Sequence, residues 1–499
     1  MRYRAAIPLL SVLLGLLLAN FYQGSAQVAV ITAANPPGYM GPSFFYNQNP
    51  TKPTLPPSLV KAPTGEKPQS KLWFNDGRWW ADLVNSADGK YYIYWLNLAT
   101  QTWVKTNTTL DTRAQTKADC LWDGVHLYVA SGGGSDNSGN AGTIYPHPGW
   151  LYRYSYDAAS KTYTPDFGPI LIRNGGAETI VLDKDTTGRL WITYTQNFKV
   201  YVNHSRTSDQ DWDPYAAFVL PTPDARWSSV SADDISTLVA FDGKIGVLWS
   251  NESTGQFSGS SDTAFYFAYH VDGASDTTWA STPIYRQPSA ADDHLDIKSL
   301  QADAAGNVFA MVKTSFNTNG QPQLLLIVAK KNTGGTYSWG TYVESTRTDN
   351  QTRPILLIDT SHRTLYVFTS TEGGGDVYYK STSIDKIQFA SGPGTLFINR
   401  PGFLINNATS TKQTVNATSG IVVLASHDNW SIDTSSVDYY FHNYIDLYNI
   451  GPTPTPDPSK PTATPIPTAV PSPPPSPSPT PSIGPGANNR RLYVPVVQR

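Results

Sequence analysis

Acids and bases gather in a few short polar stretches of this chain, each set beside an apolar run. "GGAETIV" carries Glu178, and "SADDIS" carries Asp233 and Asp234. "ADDHLDIKS" carries Asp292, Asp293, His294, Asp296 and Lys298. "TRAQTKADC" adds Arg113, Lys117 and Asp119, "QTRPIL" adds Arg353, and "STKQTV" adds Lys412 and Gln413. Two carboxyl groups at a suitable separation can serve a glycosidic bond as acid and base. A histidine beside carboxylates can act as the base of a lyase-type proton abstraction. The same residues can also pair with one another and with water, and do no chemistry. Glu178, His294, Arg353, Lys298 and Asp233 are the strongest single candidates.

The elements that must position these groups repeat along the chain. "DTTGRLWITYTQ" at Asp185 has close relatives at Phe74 ("FNDGRWWADLVN"), Leu121 ("LWDGVHLYVASG"), Ala240 ("AFDGKIGVLWSN"), Asp303 ("DAAGNVFAMVKT"), Asp359 ("DTSHRTLYVFTS") and Asn416 ("NATSGIVVLASH"). The turn anchors are Gly77, Gly124, Gly188, Gly243, Gly306, His362 and Gly420, spaced by 47 (Gly77 to Gly124) to 64 residues (Gly124 to Gly188). That spacing lies within and slightly above the range of propeller blades. Each unit reads strand, Asp/Gly turn, strand, loop, strand, turn, strand, with period-two alternation. Large residues occupy both faces, as expected when every sheet is sandwiched between two neighbours. The expected fold is an all-β, seven-bladed propeller, with six or eight blades as the nearest alternatives. The innermost strands line a central channel, so the polar stretches at their starts should meet at one mouth. The seventh unit lacks its last strand, and a segment near Pro56 to Pro63 is expected to supply it and remove a free sheet edge.

Composition sets outer bounds. The chain has 499 residues, of which 15% are charged and 12% aromatic, and its net charge is -3. That balance suits strands and turns and gives no basic excess for nucleic acid. Residues 1–26 read as a signal segment: Arg2 and Arg4, then an apolar run, then small residues Gly24 and Ala26 before a cut at Gln27. Residues 27–70 form an N-terminal extended segment and 71–450 the propeller. Residues 451–486 are a Pro/Ser/Thr-rich spacer, expected to be disordered because proline at this density forbids a packed core. Residues 487–499 form a short surface or sorting-like tail. No later stretch is apolar enough to span a bilayer, so no stable membrane insertion is expected after signal cleavage. The single cysteine, Cys120, reads as a buried, inert thiol. The scattered histidines and the Gly132–Gly142 loop offer no metal-ligand spacing, and no cofactor or metal is expected. Trp79, Trp80, Trp95, Trp150 and Trp227 could stack on sugars, although most should be inter-blade core.

Two resemblances add expectations. "NHSRTSDQDW" (Ser205 or Ser208, Asp209, Trp212) resembles a degenerate Asp-box, the Ser-x-Asp-x-Gly-x-x-Trp turn of sialidase-type propellers. "DGASDTTW" (Ser275, Asp276, Trp279) and "STSIDKIQF" (Ser383, Asp385, Phe389) are looser versions. The resemblance implies a turn between outer strands in which the Asp accepts hydrogen bonds and the aromatic packs. A sialidase would also need an arginine triad and a Tyr–Glu pair. Arg353-Pro354 echoes one part of that set. The tail "ANNRRLYVPVVQR" resembles the ends of exported proteins of Chloroflexota-type bacteria, which implies surface display.

Together these features describe a secreted or surface-associated, monomeric binding module with a glycan or surface protein as partner, without nucleic acid. The alternatives are a carbohydrate-active enzyme, sialidase-like hydrolase or polysaccharide lyase, at the channel mouth, and a purely structural surface protein.

Overall fold

A computed structural model describes residues 37–45, 62–65, 68–113, 116–133, 147–300, 306–427 and 437–449. The signal segment, the spacer and the tail lie outside these residues, as does most of the Gly132–Gly142 loop. The described strands form seven four-stranded antiparallel sheets. Each sheet is one blade, numbered I to VII along the chain. The innermost strands are Leu72–Asn75, Lys117–Trp122, Val181–Lys184, Ser236–Phe241, Leu295–Ser299, Gln351–Asp359 and Ile405–Thr409. They stand side by side around an axis, and Leu72 N–H donates to the Ser410 carbonyl at 3.0 Å where blade VII meets blade I.

The repeated turn-and-strand phrase is the inner hairpin of each blade. Its turn places residues in the left-handed region, beginning with Asp76 (φ +52°) in blade I and Asp242 (φ +46°) in blade IV, and glycine carries no Cβ penalty there. Gly77 (φ +70°) and Gly243 (φ +66°) fill the next position in these blades. In blade VI the position is held by Arg363 (φ +49°), one residue after the expected anchor His362. Alternation then sends side chains to opposite faces. In the second strand of blade III, Leu190–Gln196, residues Leu190, Ile192 and Tyr194 pack with Tyr128 and Leu151 of blade II. Trp191 packs with Val247 and Trp249 of blade IV. Full burial of each large apolar side chain is worth about 1.5–3 kcal/mol, so the blades hold one another together.

Near the axis, carboxylates tie neighbouring blades. Asp119 accepts from Ser70 N–H of blade I (2.8 Å) and Leu182 N–H of blade III (2.7 Å). Asp183 accepts from Ala240 N–H (2.8 Å), and Asp296 from Leu356 N–H (2.8 Å). Asp119 is also paired with Lys412 at 2.9 Å.

The ring closes with an N-terminal strand, as expected, but not the expected one. Tyr39–Phe45 pairs antiparallel with Val437–Ile445 and completes blade VII. Of the stretch from Pro56 to Pro63, only Ala62 and Pro63 are described, and neither is in a strand. "STKQTV" is not a strand start either: it follows the inner strand of blade VII, and Gln413 exchanges hydrogen bonds with the Phe74 backbone of blade I.

The Asp-box-like turns are turns, but Asp209 serves a different purpose from a box aspartate. Within its turn, Thr207 N–H donates to Asp211 (3.2 Å) and Trp212 Nε1 to the Asp209 carbonyl (2.9 Å). The Asp209 carboxylate instead reaches blade II, accepting from Tyr128 Oη (2.9 Å) and Arg153 Nη1 (2.5 Å). Asp276 repeats the device. Trp279 Nε1 donates to its carbonyl (2.8 Å), and its carboxylate meets His204 (3.0 Å) and Arg189 (3.5 Å) of blade III. These two turns are inter-blade ties, whereas Asp385 of the third pairs with Arg363 of its own blade at 2.7 Å.

Candidate functional site

In an antiparallel blade the end of the second strand lies on the same face as the start of the first. The mouth is therefore built from segments entering each inner strand and segments leaving each second strand. Blades III, IV and V crowd it with acid. Oxygens of Glu178, Asp233 and Asp293, one residue from each approach to an inner strand, all lie within 4.8 Å of one another. Asp233 is exposed, Glu178 half-buried and Asp293 buried.

Asp234, beside Asp233, turns inward and is fully buried. Burial pushes its carboxyl above the usual aspartate range, against hydrogen bonds from Ser231 N–H and Glu252 N–H. Glu252 leaves the second strand of blade IV, Lys244–Asn251. Its carboxyl is pushed up to about 8, first by burial and then by the charges of Asp234, Asp292, Asp293 and Asp233. Two effects that each disfavour the anion act together here. At neutral pH Glu252 therefore holds a proton amid other carboxylates.

His294 lies between two of them. Its Nδ1 is 2.5 Å from Asp292 Oδ1 and 2.6 Å from Asp293 Oδ1. Its Nε2 is buried and has no hydrogen-bond partner. The outer nitrogen is thus closed to an incoming substrate, and the inner one is taken up by the two aspartates. Lys313, at the end of the second strand of blade V, pairs with Asp292 (3.1 Å) and Glu372 (3.5 Å). Burial works against ionisation of Glu372, but Lys313 and Arg347 outweigh it and hold the carboxyl below its usual range. Gln323 also donates to Glu372, at 3.2 Å.

The mouth thus gathers Glu178, Asp233 and His294 from the sequence candidates. Lys298 is not part of it. It lies four residues beyond His294, roughly 13 Å down the strand, and pairs with Asp296 at 2.9 Å inside the channel. There it borders a cavity of about 70 Å³ with Asp183 and Lys412. Arg353 lies near the start of the inner strand of blade VI, three residues before Leu356, which is level with Asp296. Arg353 is a left-handed residue (φ +50°) where the pairing register slips, and its Nε is buried without a partner. Glu252, Lys313, Arg347 and Glu372 were not singled out from sequence. The signal was present in outline, because a residue just after a second strand must return to the mouth.

Glu178, Asp233 and Asp293 form an all-oxygen donor set of the kind that hard cations take. Spacing along the chain does not reveal it, because the three come from different blades. Cys120 is buried in blade II, its thiol pushed well above its ordinary range, first by burial. Trp79 and Trp80 are fully buried, and Trp150 lies under the Arg113 guanidinium at 3.8 Å. Among the described residues the exposed rings are instead Phe198 (43%), Tyr215 (76%) and Tyr448 (78%).

No protein-family model matches the chain, and no curated protein sequence matches it. Solved structures do. It is similar to polysaccharide lyase Uly1, with 8% identity over 82% of this chain and 99% of that one, at a TM-score of 0.46. It is similar to an alpha-L-arabinanase of Penicillium chrysogenum, with 14% identity over 70% and 100%, at 0.39. It is also similar to a NanB sialidase mutant from Streptococcus pneumoniae, with 11% identity over 77% and 52%, at 0.32. These are likenesses of form, and the propeller assignment rests on the seven sheets themselves. Among the described residues no helix is long and apolar enough to cross a membrane.

Proposed function

We propose that this propeller is a carbohydrate-active enzyme that cleaves glycosidic bonds by acid–base hydrolysis at the mouth formed by blades III, IV and V. The observation that carries the reading is the position of Glu252, a carboxyl kept protonated near neutral pH beside the converging carboxylates Glu178, Asp233 and Asp293. Environments that push neighbouring carboxyl pKa values apart are how one site supplies both an acid and a base. Glu252 would give its proton to the departing glycosidic oxygen. Asp233, the exposed member of the triad, would activate water or attack the anomeric carbon. Glu178 and Asp293 add negative charge that steadies an oxocarbenium-like transition state.

The site favours hydrolysis over the lyase alternative, because the buried Nε2 of His294 leaves no open imidazole base. It also disfavours a sialidase. A cluster of carboxylates repels an anionic sugar, and Lys313 and Arg347 are already paired with Asp292 and Glu372. The chain would be an exported protein held off the cell by its Pro-rich spacer.

The test is incubation of the full chain with a panel of polysaccharides, products being followed by mass spectrometry. New reducing ends that fall by about 10²–10⁴-fold in Glu252→Gln support the reading. Turnover that survives the substitution places the chemistry elsewhere.

A further inference from the structure

Beside the mouth, on the rim between blades II and III, lies a cavity of about 290 Å³. That is at the lower end of the roughly 300–1,000 Å³ of small-molecule sites. Its wall is a stacked pair of rings, Tyr194 and Tyr201, with centroids 5.6 Å apart and planes at 10°. Its lip is Tyr215, 76% exposed although it is a large aromatic. Asn174 and Asn197 supply amide groups, and no lining side chain carries a formal charge.

The backbone holds this opening in place. Asn197 (φ +49°) and Phe198 (φ +58°) form the two-residue turn between the second and third strands of blade III, both left-handed and neither glycine. A bulky aromatic residue in that region is an outlier that the surrounding structure must enforce. The Phe198 carbonyl accepts from Val230 N–H at 3.0 Å. Gln196 Nε2 donates to the carbonyls of Asn174 (3.0 Å) and Gly176 (2.9 Å). This ties the cavity to the connection that ends in Glu178. Glu178 is four positions after Asn174, so their Cα atoms are at most about 14 Å apart.

We propose that this cavity is a sugar-binding subsite of the same enzyme, in which a neutral sugar ring of the polysaccharide packs against Tyr215 and hydrogen-bonds to the amides while the chain continues into the carboxylate mouth. The proposal rests on the hydrolase reading. Aromatic rings with amide donors and acceptors suit a ring with an apolar face and a hydroxylated edge. The uncharged lining offers nothing to pair with a uronate or sulfate, and the acidic mouth beside it repels both. The substrate class is therefore a neutral glycan.

The experiment uses the full chain carrying Glu252→Gln, so that ligands are not consumed. Xylohexaose, arabinohexaose, cellohexaose, mannohexaose and a galacturonate oligomer are titrated by calorimetry, with and without Tyr215→Ala. The expected result is binding of a neutral hexaose, weakened about tenfold by Tyr215→Ala and restored by Tyr215→Trp. Because Tyr215 is exposed, its removal should leave thermal unfolding unchanged, and that scan is the folding control. Equal affinity in Tyr215→Ala, binding of the galacturonate alone, or no binding by any of the five overturns the subsite. Failure of the hydrolase reading looks different: the parent chain cleaves none of the glycans while the Tyr215 effect on binding remains.

Discussion

Asp234 and Glu252 face one another across the inner hairpin of blade IV: the Glu252 N–H donates to both Asp234 oxygens, at 3.2 and 3.1 Å. The buried aspartate fixes the backbone at the point where the second strand returns to the mouth. It also adds negative charge beside the Glu252 side chain. Asp234→Asn should keep the contact to the Glu252 N–H while removing that charge. The alkaline limit of activity should then move down in pH, as Glu252 loses part of what raises it. A pH–rate profile of this variant is the check. An unmoved limb means that Asp234 does not tune Glu252.

Glu252 also makes folding depend on pH. Its folded value, about 8, lies above its ordinary 4.5. The folded state therefore binds the extra proton between those values. Stability from this group is fully present below about pH 4.5 and is lost as pH rises through 8, with a slope of at most about 1.4 kcal/mol per pH unit. Urea unfolding of Glu252→Gln at pH 6 and pH 8.5 should show a smaller fall than the parent chain. An equal fall removes Glu252 as the cause.

His442 has the opposite sign. It sits where the closing strand meets blade I: Tyr39 stacks on it at 5.3 Å, and Trp103 Nε1 donates to its Nδ1 at 3.2 Å. Burial pushes it down to about 3. The unfolded chain therefore takes up a proton first as pH falls below about 6.5, and stability is lost from there down to about 3. Comparing His442→Gln with the parent in acid unfolding reads this contribution, which should shrink in the variant. Identical acid midpoints contradict it.

The buried pair Lys412–Asp119 ties blade VII to blade II across the axis. Lys412 is held charged above its ordinary range: burial opposes the charge, but Asp119 and Asp183 outweigh it. Lys412→Met leaves these carboxylates without a counter-charge and should cost about 3–5 kcal/mol. Chemical denaturation measures it, and a loss below about 1 kcal/mol counts against the ion pair as an axial tie.

The propeller was legible because its inner hairpin is chemically distinctive. An Asp/Gly turn followed by alternating large residues marks a hairpin, and its return every 47 to 64 residues marks the blades. The closing strand was harder to see. "YMGPSFF" contains Gly41 and Pro42, poor strand residues, and the pairing slips between Met40 and Ser43. Proline is tolerated there because this is the outermost strand. Glu178, Asp233 and His294 stood out as polar runs ahead of apolar strands. Glu252 did not: in "SNESTG" it reads as an ordinary loop acid, and its significance comes from aspartates on the neighbouring approaches. Lys298 was misplaced because sequence proximity to His294 hides a descent of several residues into the channel.

The proton on Glu252 is read most directly by infrared difference spectroscopy of the parent chain against Glu252→Gln across a pH titration. A protonated carboxyl band that is absent from the variant and disappears near pH 8 is the predicted result. A Glu252 band that titrates near pH 4.5 is the contrary result, because Glu252 would then be ionised at neutral pH and could not protonate a leaving group.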